Sequence, residues 1–131
     1  MIFSSMCLAM ALYYEARGEN YDSGIAVAEV ILNRVEDERW PNDICAVVKQ
    51  DTGSKEHDCQ FSFYCDGKPE KPTNLDAWFR AKEQARDALN GNTLGHGALY
   101  YHAHYVKPIW THKLRKVGKI GGHIFYTDKG V

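Results

Sequence analysis

A glutamate near the N-terminus, Glu15, lies where a carboxyl group can work as a general acid. Residues 12–19 (Leu-Tyr-Tyr-Glu-Ala-Arg-Gly-Glu) are typical of the last turn of an apolar helix that stops at Gly18. The helix dipole disfavours an anion at this end, and the neighbouring tyrosines exclude water, so both effects raise the pKa of Glu15. A carboxyl group that stays protonated near neutral pH can protonate the leaving-group oxygen of a glycoside. The alternative is an exposed helix acid whose pKa Arg17 lowers again.

A glycosidase with two carboxylates needs a second acid across the scissile bond, and Glu19 is the nearest candidate. Because Glu19 follows the break at Gly18, helical spacing does not give its direction. A structural role suits it as well. In that role Glu19 holds the end of the first helix through Arg17 or through a backbone amide.

The loop at residues 60–64 combines aromatic rings with amide and hydroxyl groups, a mixture that suits a sugar. In an extended segment Gln60, Ser62 and Tyr64 alternate with two phenylalanines, and we expect these three to bind substrate hydroxyls and acetamides. A disulfide between Cys59 and Cys65 would close the loop in an oxidising compartment. A loop closed only for stability is the alternative.

The aromatic residues after position 100 allow the same two interpretations, sugar binding or packing: Tyr101, His102, Tyr105 and Trp110. We expect Tyr101 and His102 to lie near the cleft and to bind substrate.

Histidines raise the possibility of a different chemistry, a zinc site with three ligands. The candidate ligands are His102, His104, His112 and His123, together with upstream acids. No H-E-x-x-H helix occurs, and the histidine spacing matches no zinc motif. The sequence therefore predicts neither a metal site nor a cofactor.

Apolar spacing and capping residues predict the elements that position these groups. Helices are expected over about 4–17, 24–38, 44–48, 76–90 and, after Pro108, up to residue 114; strands are expected over 98–102, 116–120 and 123–127. Ser4 or Ser5 can cap the first helix, and Asp22 or Ser23 the second. The buried face of the fourth helix is expected to comprise Leu75, Trp78, Phe79, Ala85 and Leu89. The last two strands flank Gly121 and Gly122, a good two-residue hairpin turn. These elements indicate a helix-dominated α+β domain with a small sheet.

The composition is that of an ordinary globular protein. Of 131 residues, 44% are hydrophobic and 25% are charged, which excludes a disordered or fibrous chain. The length suits one domain over residues 1–131. No stretch is long and apolar enough to cross a bilayer, so we expect no integral membrane segment. Cys7, in the apolar first helix, is expected to be a small buried hydrophobe.

Charge is divided unevenly along the chain. Residues 1–100 carry 10 lysines and arginines against 16 acids, a net charge of −6, whereas residues 101–131 carry 6 against 1, a net charge of +5. Such a basic segment attracts an anionic polymer or is only a solvated face. Aromatics are not interleaved with the basic residues at 113–116 as a single-strand binder requires, so we expect no nucleic-acid partner.

Several blocks follow one another in a characteristic order: residues 7–9, 14–19, 26–35, 41–48, 59–67, 101–110 and 120–126. The series covers nearly the whole chain and resembles that of the SleB-type cell-wall hydrolases, which include spore-cortex-lytic enzymes and related phage and bacterial proteins.

The resemblance implies a lysozyme-like fold, akin to lytic transglycosylases and resuscitation-promoting factors. It also implies cleavage of peptidoglycan glycan strands between N-acetylmuramic acid and N-acetylglucosamine, by a lytic transglycosylase or an N-acetylmuramidase. The family's catalytic acid, the first Glu of its Glu-Ala-Arg-Gly-Glu motif, falls on Glu15. Such relatives are thought to use this single Glu as acid and then as base, while the sugar's own C6 hydroxyl closes an anhydro ring.

Two other functions remain open, a zinc-dependent peptidoglycan amidase and a catalytically inactive peptidoglycan-binding module. We expect a monomer that acts on the cell wall, in the periplasm or outside the cell. The apolar start has no basic residues before it and runs directly into the Glu15 segment, so we assign it to the domain and not to a signal peptide. This suits a phage endolysin made in the host cytoplasm, or a domain of a longer secreted protein.

Overall fold

The structure is a computed structural model that describes residues 2–50 and 72–130, with side chains from Ser4 onwards. Its elements are α1 (Ile2–Ala16), α2 (Tyr21–Glu36), α3 (Ile44–Lys49), α4 (Leu75–Leu89), β1 (Tyr100–Ala103), a 3-10 helix (Ile109–Lys113), β2 (Arg115–Ile120) and β3 (His123–Thr127). The predicted helix-dominated α+β fold with a small antiparallel sheet is confirmed. No helix among the described residues is long and apolar enough to cross a membrane.

Three helices begin at a capping side chain, as helix starts require. Asn20, Asp43 and Asn74 each accept a hydrogen bond from the backbone N–H three residues further on. The cap of α2 is therefore Asn20, and the prediction of Asp22 or Ser23 is wrong. The helix α1 likewise begins before Ser4 and Ser5, so these serines lie inside its first turn and do not cap it.

The core lies between α1 and α2, and α4 packs on both through small residues. Its buried positions include Ala81, Ala85 and Ala88. A Cβ on Gly24 of α2 would lie 2.2 Å from the amide end of the Gln84 side chain, which donates to the Tyr21 carbonyl. A larger residue at position 24 would therefore displace Gln84.

The predicted buried face of α4 is partly wrong. Leu75, Phe79 and Leu89 are 64%, 60% and 41% exposed, whereas Trp78 and Ala85 pack on the core as expected. Close helix approach favours the alanine stripe over the large apolar residues, which is why hydrophobicity alone gave the wrong face.

The hydroxyl of Tyr13 fixes the start of α4 against the end of α1. It accepts hydrogen bonds from the backbone N–H groups of Thr73 (3.2 Å) and Asn74 (3.0 Å), and Arg17 donates to it as well. These donors outweigh burial, which alone would raise the pKa, and lower the pKa of Tyr13. Arg17 is thereby engaged by Tyr13, and it is not among the causes of the pKa shift of Glu15.

A disulfide joins Cys7 of α1 to Cys45 of α3. The prediction that Cys7 is a free buried hydrophobe is therefore wrong, because the third helix brings Cys45 beside it. The proposed pair of Cys59 and Cys65 lies outside the described residues.

The three strands form an antiparallel sheet in the order β1-β3-β2. The predicted hairpin of β2 and β3 is confirmed, and it turns at Gly121, whose φ of 57° suits glycine. Tyr101 pairs with Phe125 across β1 and β3, and Phe125 is fully buried. The sheet therefore contributes Phe125 of β3 to the core, while α2 lies against β1 and β2.

The segment that leads into β1 is held by a buried carboxylate on α2. Glu29 accepts hydrogen bonds from the backbone N–H groups of Leu94 (2.8 Å), Gly95 (2.9 Å) and Gly97 (3.1 Å). A buried carboxylate with three amide donors is satisfied, and it fixes the path of the chain just before Tyr101.

Breaking the Cys7–Cys45 disulfide should destabilise the protein. The bond closes a loop with a sequence separation of 38 residues, and the chain-entropy argument gives roughly 3–4 kcal/mol for a loop of this length. We expect the free energy of unfolding of the Cys7→Ala/Cys45→Ala variant to be lower than that of the oxidised wild type by this amount. The variant should therefore unfold at a lower urea concentration. Equal midpoints would show that the helices hold this geometry without the bond.

Candidate active site

Glu15, on the last turn of α1, lines a cleft of about 410 Å³ between the helices and the sheet. The described residues that line the cleft are Tyr14, Glu15, Glu19, Arg34, Tyr101, His102, Ala103, Tyr105 and His123. The helical layer thus supplies the acids, and the strand β1 with the turn after it supplies most of the opposite wall.

The carboxyl group of Glu15 is mostly enclosed and has one described side-chain partner. Tyr101 donates its O–H to Oε1 of Glu15 at 3.0 Å. Burial raises the pKa of Glu15, and the hydrogen bond from Tyr101 lowers it by less. The predicted direction of the shift is therefore confirmed, and desolvation is its cause. Because Oε1 accepts from Tyr101, Oε2 is the oxygen left to carry an acid proton.

Tyr101 is held rigidly enough to aim its hydroxyl. Its ring stacks on that of Phe125, with centroids 5.9 Å apart, and meets His123 edge-on at 5.2 Å. Burial first, and then the negative charge of Glu15, raise the pKa of Tyr101 well above its ordinary value. The hydroxyl of Tyr101 therefore stays protonated near neutral pH and can donate its hydrogen bond.

Glu19 is bound within the fold. Its Oε1 accepts hydrogen bonds from the backbone N–H of Gly122 at 2.9 Å and from the Ser23 hydroxyl, and it lies 3.2 Å from Nδ1 of His123. Burial raises the pKa of Glu19, but these donors outweigh it, so the pKa lies below the ordinary value. Of the two partners considered, a backbone amide and not Arg17 is the one that Glu19 binds, and that amide lies in the β2–β3 hairpin turn.

His102 faces away from Tyr101, as neighbouring strand residues do. Its ring stacks on Tyr126, its Nε2 lies 2.9 Å from the Tyr126 hydroxyl, and its Nδ1 lies 2.7 Å from the Ala103 carbonyl. Both ring nitrogens are thus engaged within the fold. The residue lines the cleft, but this arrangement favours packing over substrate binding by its ring.

The other predicted site residues have mixed outcomes. Gln60, Ser62 and Tyr64 lie outside the described residues, so their roles stay predictions.

His123 is buried, and burial lowers its pKa, so its ring is neutral at pH 7. Within residues 2–50 and 72–130, no three His, Cys, Asp or Glu side chains lie close enough together to hold a metal ion.

Arg34 is a cleft residue for which the sequence analysis predicts no role. It is 3% exposed, its Nε donates to the Leu99 carbonyl at 2.8 Å, and its guanidinium lies over the rings of Trp40 and Tyr100. The sequence does contain a sign of this position. Arg34 follows the buried residues Ile31 and Val30 by three and four positions, which places a cation on the apolar face of α2.

An α+β fold of this kind, with a desolvated glutamate in a cleft between helices and a small sheet, is that of the lysozyme-like domains. The family described as Cell Wall Hydrolase matches residues 18–126. The chain belongs to this family of cell wall hydrolases, the SleB type. Glu15 itself precedes the matched range by three residues.

Solved structures and curated proteins agree with this assignment. The catalytic domain of the germination-specific lytic transglycosylase SleB from Bacillus anthracis is 33% identical, with a TM-score of 0.77, over 95% of this chain and 93% of that domain. The catalytic domain of Bacillus cereus SleB is 32% identical, with a TM-score of 0.78, over 97% of this chain and 91% of that domain.

Among the curated relatives, the spore cortex-lytic enzyme of Bacillus subtilis is 34% identical over 90% of this chain, and that of Bacillus cereus is 33% identical over the same share. The chain spans 35% of the length of the first and 42% of the second.

Replacing Tyr101 with phenylalanine should raise the pKa of Glu15. The hydroxyl stabilises the ionised carboxylate, so its loss favours the protonated form, while the phenyl ring keeps the contact with Phe125. A 13C NMR titration of labelled glutamate side chains measures this. In the matched control Tyr100→Phe the lost hydroxyl had faced Asp128, so the pKa of Glu15 should not move. An unchanged or lowered pKa in Tyr101→Phe would contradict the account.

Glu19→Gln should lower the free energy of unfolding at neutral pH by about 1–2 kcal/mol, because charge-assisted hydrogen bonds to the hairpin are lost. The pKa of Glu19 is lower in the folded protein than in the unfolded chain. Its contribution to the free energy of unfolding is therefore fully present above the ordinary glutamate pKa, and it is lost as the pH falls through the pKa of the folded state. The difference between wild type and variant in urea unfolding should therefore shrink in acid. A difference that stays constant with pH would mean that the charge of Glu19 is not involved.

Proposed function

We propose that this chain cleaves the glycan strand of peptidoglycan between N-acetylmuramic acid and N-acetylglucosamine, with Glu15 as general acid and then base. The observation that carries the proposal is the desolvated carboxyl group of Glu15 in the cleft, with Oε1 occupied by Tyr101 and Oε2 left for the proton. Membership of the cell wall hydrolase family supplies the substrate class.

The chemistry follows from the state of Glu15. Because burial raises the pKa of its carboxyl group, Glu15 holds its proton to higher pH than an exposed glutamate does. It can give that proton to the glycosidic oxygen as the bond to C1 of the muramic sugar breaks. N-acetylglucosamine leaves with its 4-hydroxyl restored. Glu15 is then a carboxylate, which the Tyr101 hydroxyl stabilises, and it can accept a proton from the nucleophile that attacks C1.

The state of Glu19 bears on which nucleophile that is. It is the other acid among the described residues of the cleft, and its Oε1 is occupied by the Gly122 amide and the Ser23 hydroxyl. A carboxylate committed to the fold is poorly placed to attack the sugar or to activate water. This favours attack by the C6 hydroxyl of the muramic sugar, which gives an anhydro product and returns the proton to Glu15. The catalytic domain of SleB from Bacillus anthracis is described as a lytic transglycosylase.

The wider setting follows from the same reaction. Residues 1–131 would act as one catalytic domain, as a monomer, on the cell wall in the periplasm or outside the cell. Both origins considered, a phage endolysin and a domain of a longer secreted protein, are compatible with it. The basic segment 101–131 suits an anionic wall polymer better than nucleic acid.

Glu15→Gln should reduce cleavage of purified peptidoglycan by about 100-fold or more, because the amide has no acid proton to give. Mass spectrometry of the released muropeptides should show anhydromuramic ends made by the wild type. Glu36→Gln is the matched control, since Glu36 is an exposed glutamate at the end of α2. It should cleave like the wild type.

The same digest separates the alternatives. Reducing muramic ends would make the enzyme a muramidase that uses water. Free stem peptides, lost with chelator and restored by zinc, would support a zinc amidase. Tight glycan binding without any cleavage by the wild type would support an inactive binding module. Full activity of Glu15→Gln would contradict the proposed mechanism.

A further inference from the structure

A second groove, of about 760 Å³, adjoins the cleft of Glu15. Arg34 and Tyr101 line both, so the groove is continuous with the cleft and a ligand in the cleft can extend into it. The other described residues that line it are Tyr100, Ile109, Trp110, His112, Lys113 and Leu114. Most of them belong to the 3-10 helix and its flanks, between β1 and β2.

Two apolar residues of this groove are exposed and do not belong to the hydrophobic core. Ile109 is 85% exposed and Trp110 is 42% exposed. The Trp110 ring contacts the rings of Tyr100, His102 and Tyr126, which fix its position although the residue stays partly exposed. A rigid, solvent-facing apolar surface beside a cleft is a sign of a ligand that covers it.

The edge of the groove carries a cation, Lys113. Lys113 has no acidic side chain within ion-pair distance among residues 2–50 and 72–130. The single acid of residues 101–131, Asp128, is held by Arg39 and Tyr100. The groove therefore offers apolar area together with a positive charge that no acid pairs in the described part of the chain.

From this juxtaposition we infer that the groove binds the stem peptide of the muramic sugar, with the peptide's alanine methyl groups against Ile109 and Trp110 and a carboxylate against Lys113. The inference rests on the proposed function, because it requires a muramic sugar in the cleft beside Glu15. It adds a substrate preference, namely glycan strands that carry charged stem peptides.

The chemistry of the groove distinguishes this occupant from a further sugar. An N-acetylated sugar ring is neutral and has many hydroxyl groups, so its recognition calls for several hydrogen-bonding side chains. Several hydrogen-bonding side chains of the groove are already engaged within the fold: Arg34 donates to the Leu99 carbonyl, Tyr100 to Asp128 and Tyr101 to Glu15. Ile109, Leu114 and Lys113 remain to meet a ligand. A stem peptide has small apolar side chains and free carboxylates, and it branches from C3 of the same muramic sugar whose bond at C1 is cut.

The test compares two substrates prepared from the same wall, freed of other anionic polymers. One consists of glycan strands that carry stem peptides, and the other of the same strands after an amidase has removed them. The initial rate of new chain ends is measured on both, and the ratio of the two rates is the readout. For the wild type, the rate on peptide-bearing strands should exceed the rate on stripped strands by severalfold.

Lys113→Gln should lower this ratio by about two- to fivefold, the size expected for one exposed charge pair. Lys113→Glu should lower it further, and Lys113→Arg should restore it. Lys119→Gln is the matched control, because Lys119 is an exposed lysine of β2 that does not line the groove. It should leave the ratio as in the wild type. Ile109→Ser tests the apolar part and should also lower the ratio.

Binding gives a readout that does not depend on cleavage. The Glu15→Gln variant, titrated calorimetrically with both strands, should bind the peptide-bearing strand more tightly, and added salt should reduce that advantage. Strands whose stem carboxylates are amidated should lose most of it.

The outcomes separate the two proposals. An active wild type with a ratio near one, or a Lys113→Gln variant whose ratio is unchanged, would overturn the groove assignment and leave the glycan cleavage standing. A wild type that cleaves neither strand, or a Glu15→Gln variant that cleaves both, would overturn the proposed function, and the groove assignment with it.

Discussion

The bond between the Glu19 carboxylate and the backbone N–H of Gly122 joins the helices to the sheet beside the candidate acid. It spans a sequence separation of 103 residues and ties the turn of the β2–β3 hairpin to the segment between α1 and α2. A Cβ on Gly122 would lie 2.8 Å from Oε2 of Glu19, and one on Gly121 would lie 2.6 Å from Cβ of Ser23. The approach therefore requires two glycines. Because β3 carries β1, this contact also fixes where Tyr101 meets Glu15.

Two carboxyl groups four residues apart thereby acquire opposite properties. Glu15 loses water and gains one donor, which raises its pKa, whereas Glu19 gains several donors, which lower its pKa. In many active sites, the surroundings shift the pKa values of two acids in opposite directions, and this difference indicates which group acts as the acid and which as the base. In the proposed mechanism, this difference leaves Glu15 as the proton donor while Glu19 holds the hairpin to the helices, so Glu15 would carry out both proton-transfer steps.

The sequence predicted local features well and long-range ones poorly. The end of α1 at Gly18, the Gly121-Gly122 hairpin and the raised pKa of Glu15 all follow from a few neighbouring residues. The partner of Glu19 does not, since Gly122 is distant in the chain. The Cys7–Cys45 disulfide was missed for the same reason, because it depends on how α3 packs on α1. The exposed face of α4 was missed because hydrophobicity does not show how closely two helices approach.

Arg34 and the groove beside the cleft show a second limit. A cation inside an apolar stripe is visible in the sequence, but its place between two aromatic rings at the edge of the cleft depends on Trp40 and Tyr100, which lie far apart in the chain. Likewise, the residues after Pro108 were predicted to form a short helix, and the structure has a 3-10 helix there, yet only the packing of Trp110 shows that its neighbours line a groove.

The most direct measurement for the central claim is a crystal structure of Glu15→Gln with a bound glycan oligomer of alternating N-acetylglucosamine and N-acetylmuramic acid. The account predicts that a muramic-side glycosidic oxygen lies within about 2.6–3.2 Å of the residue 15 side chain, the range for proton transfer. Tyr101 should still donate to the other oxygen position. An oligomer bound elsewhere, for example in the pocket by Arg17 and Arg80 at the start of α4, would contradict it.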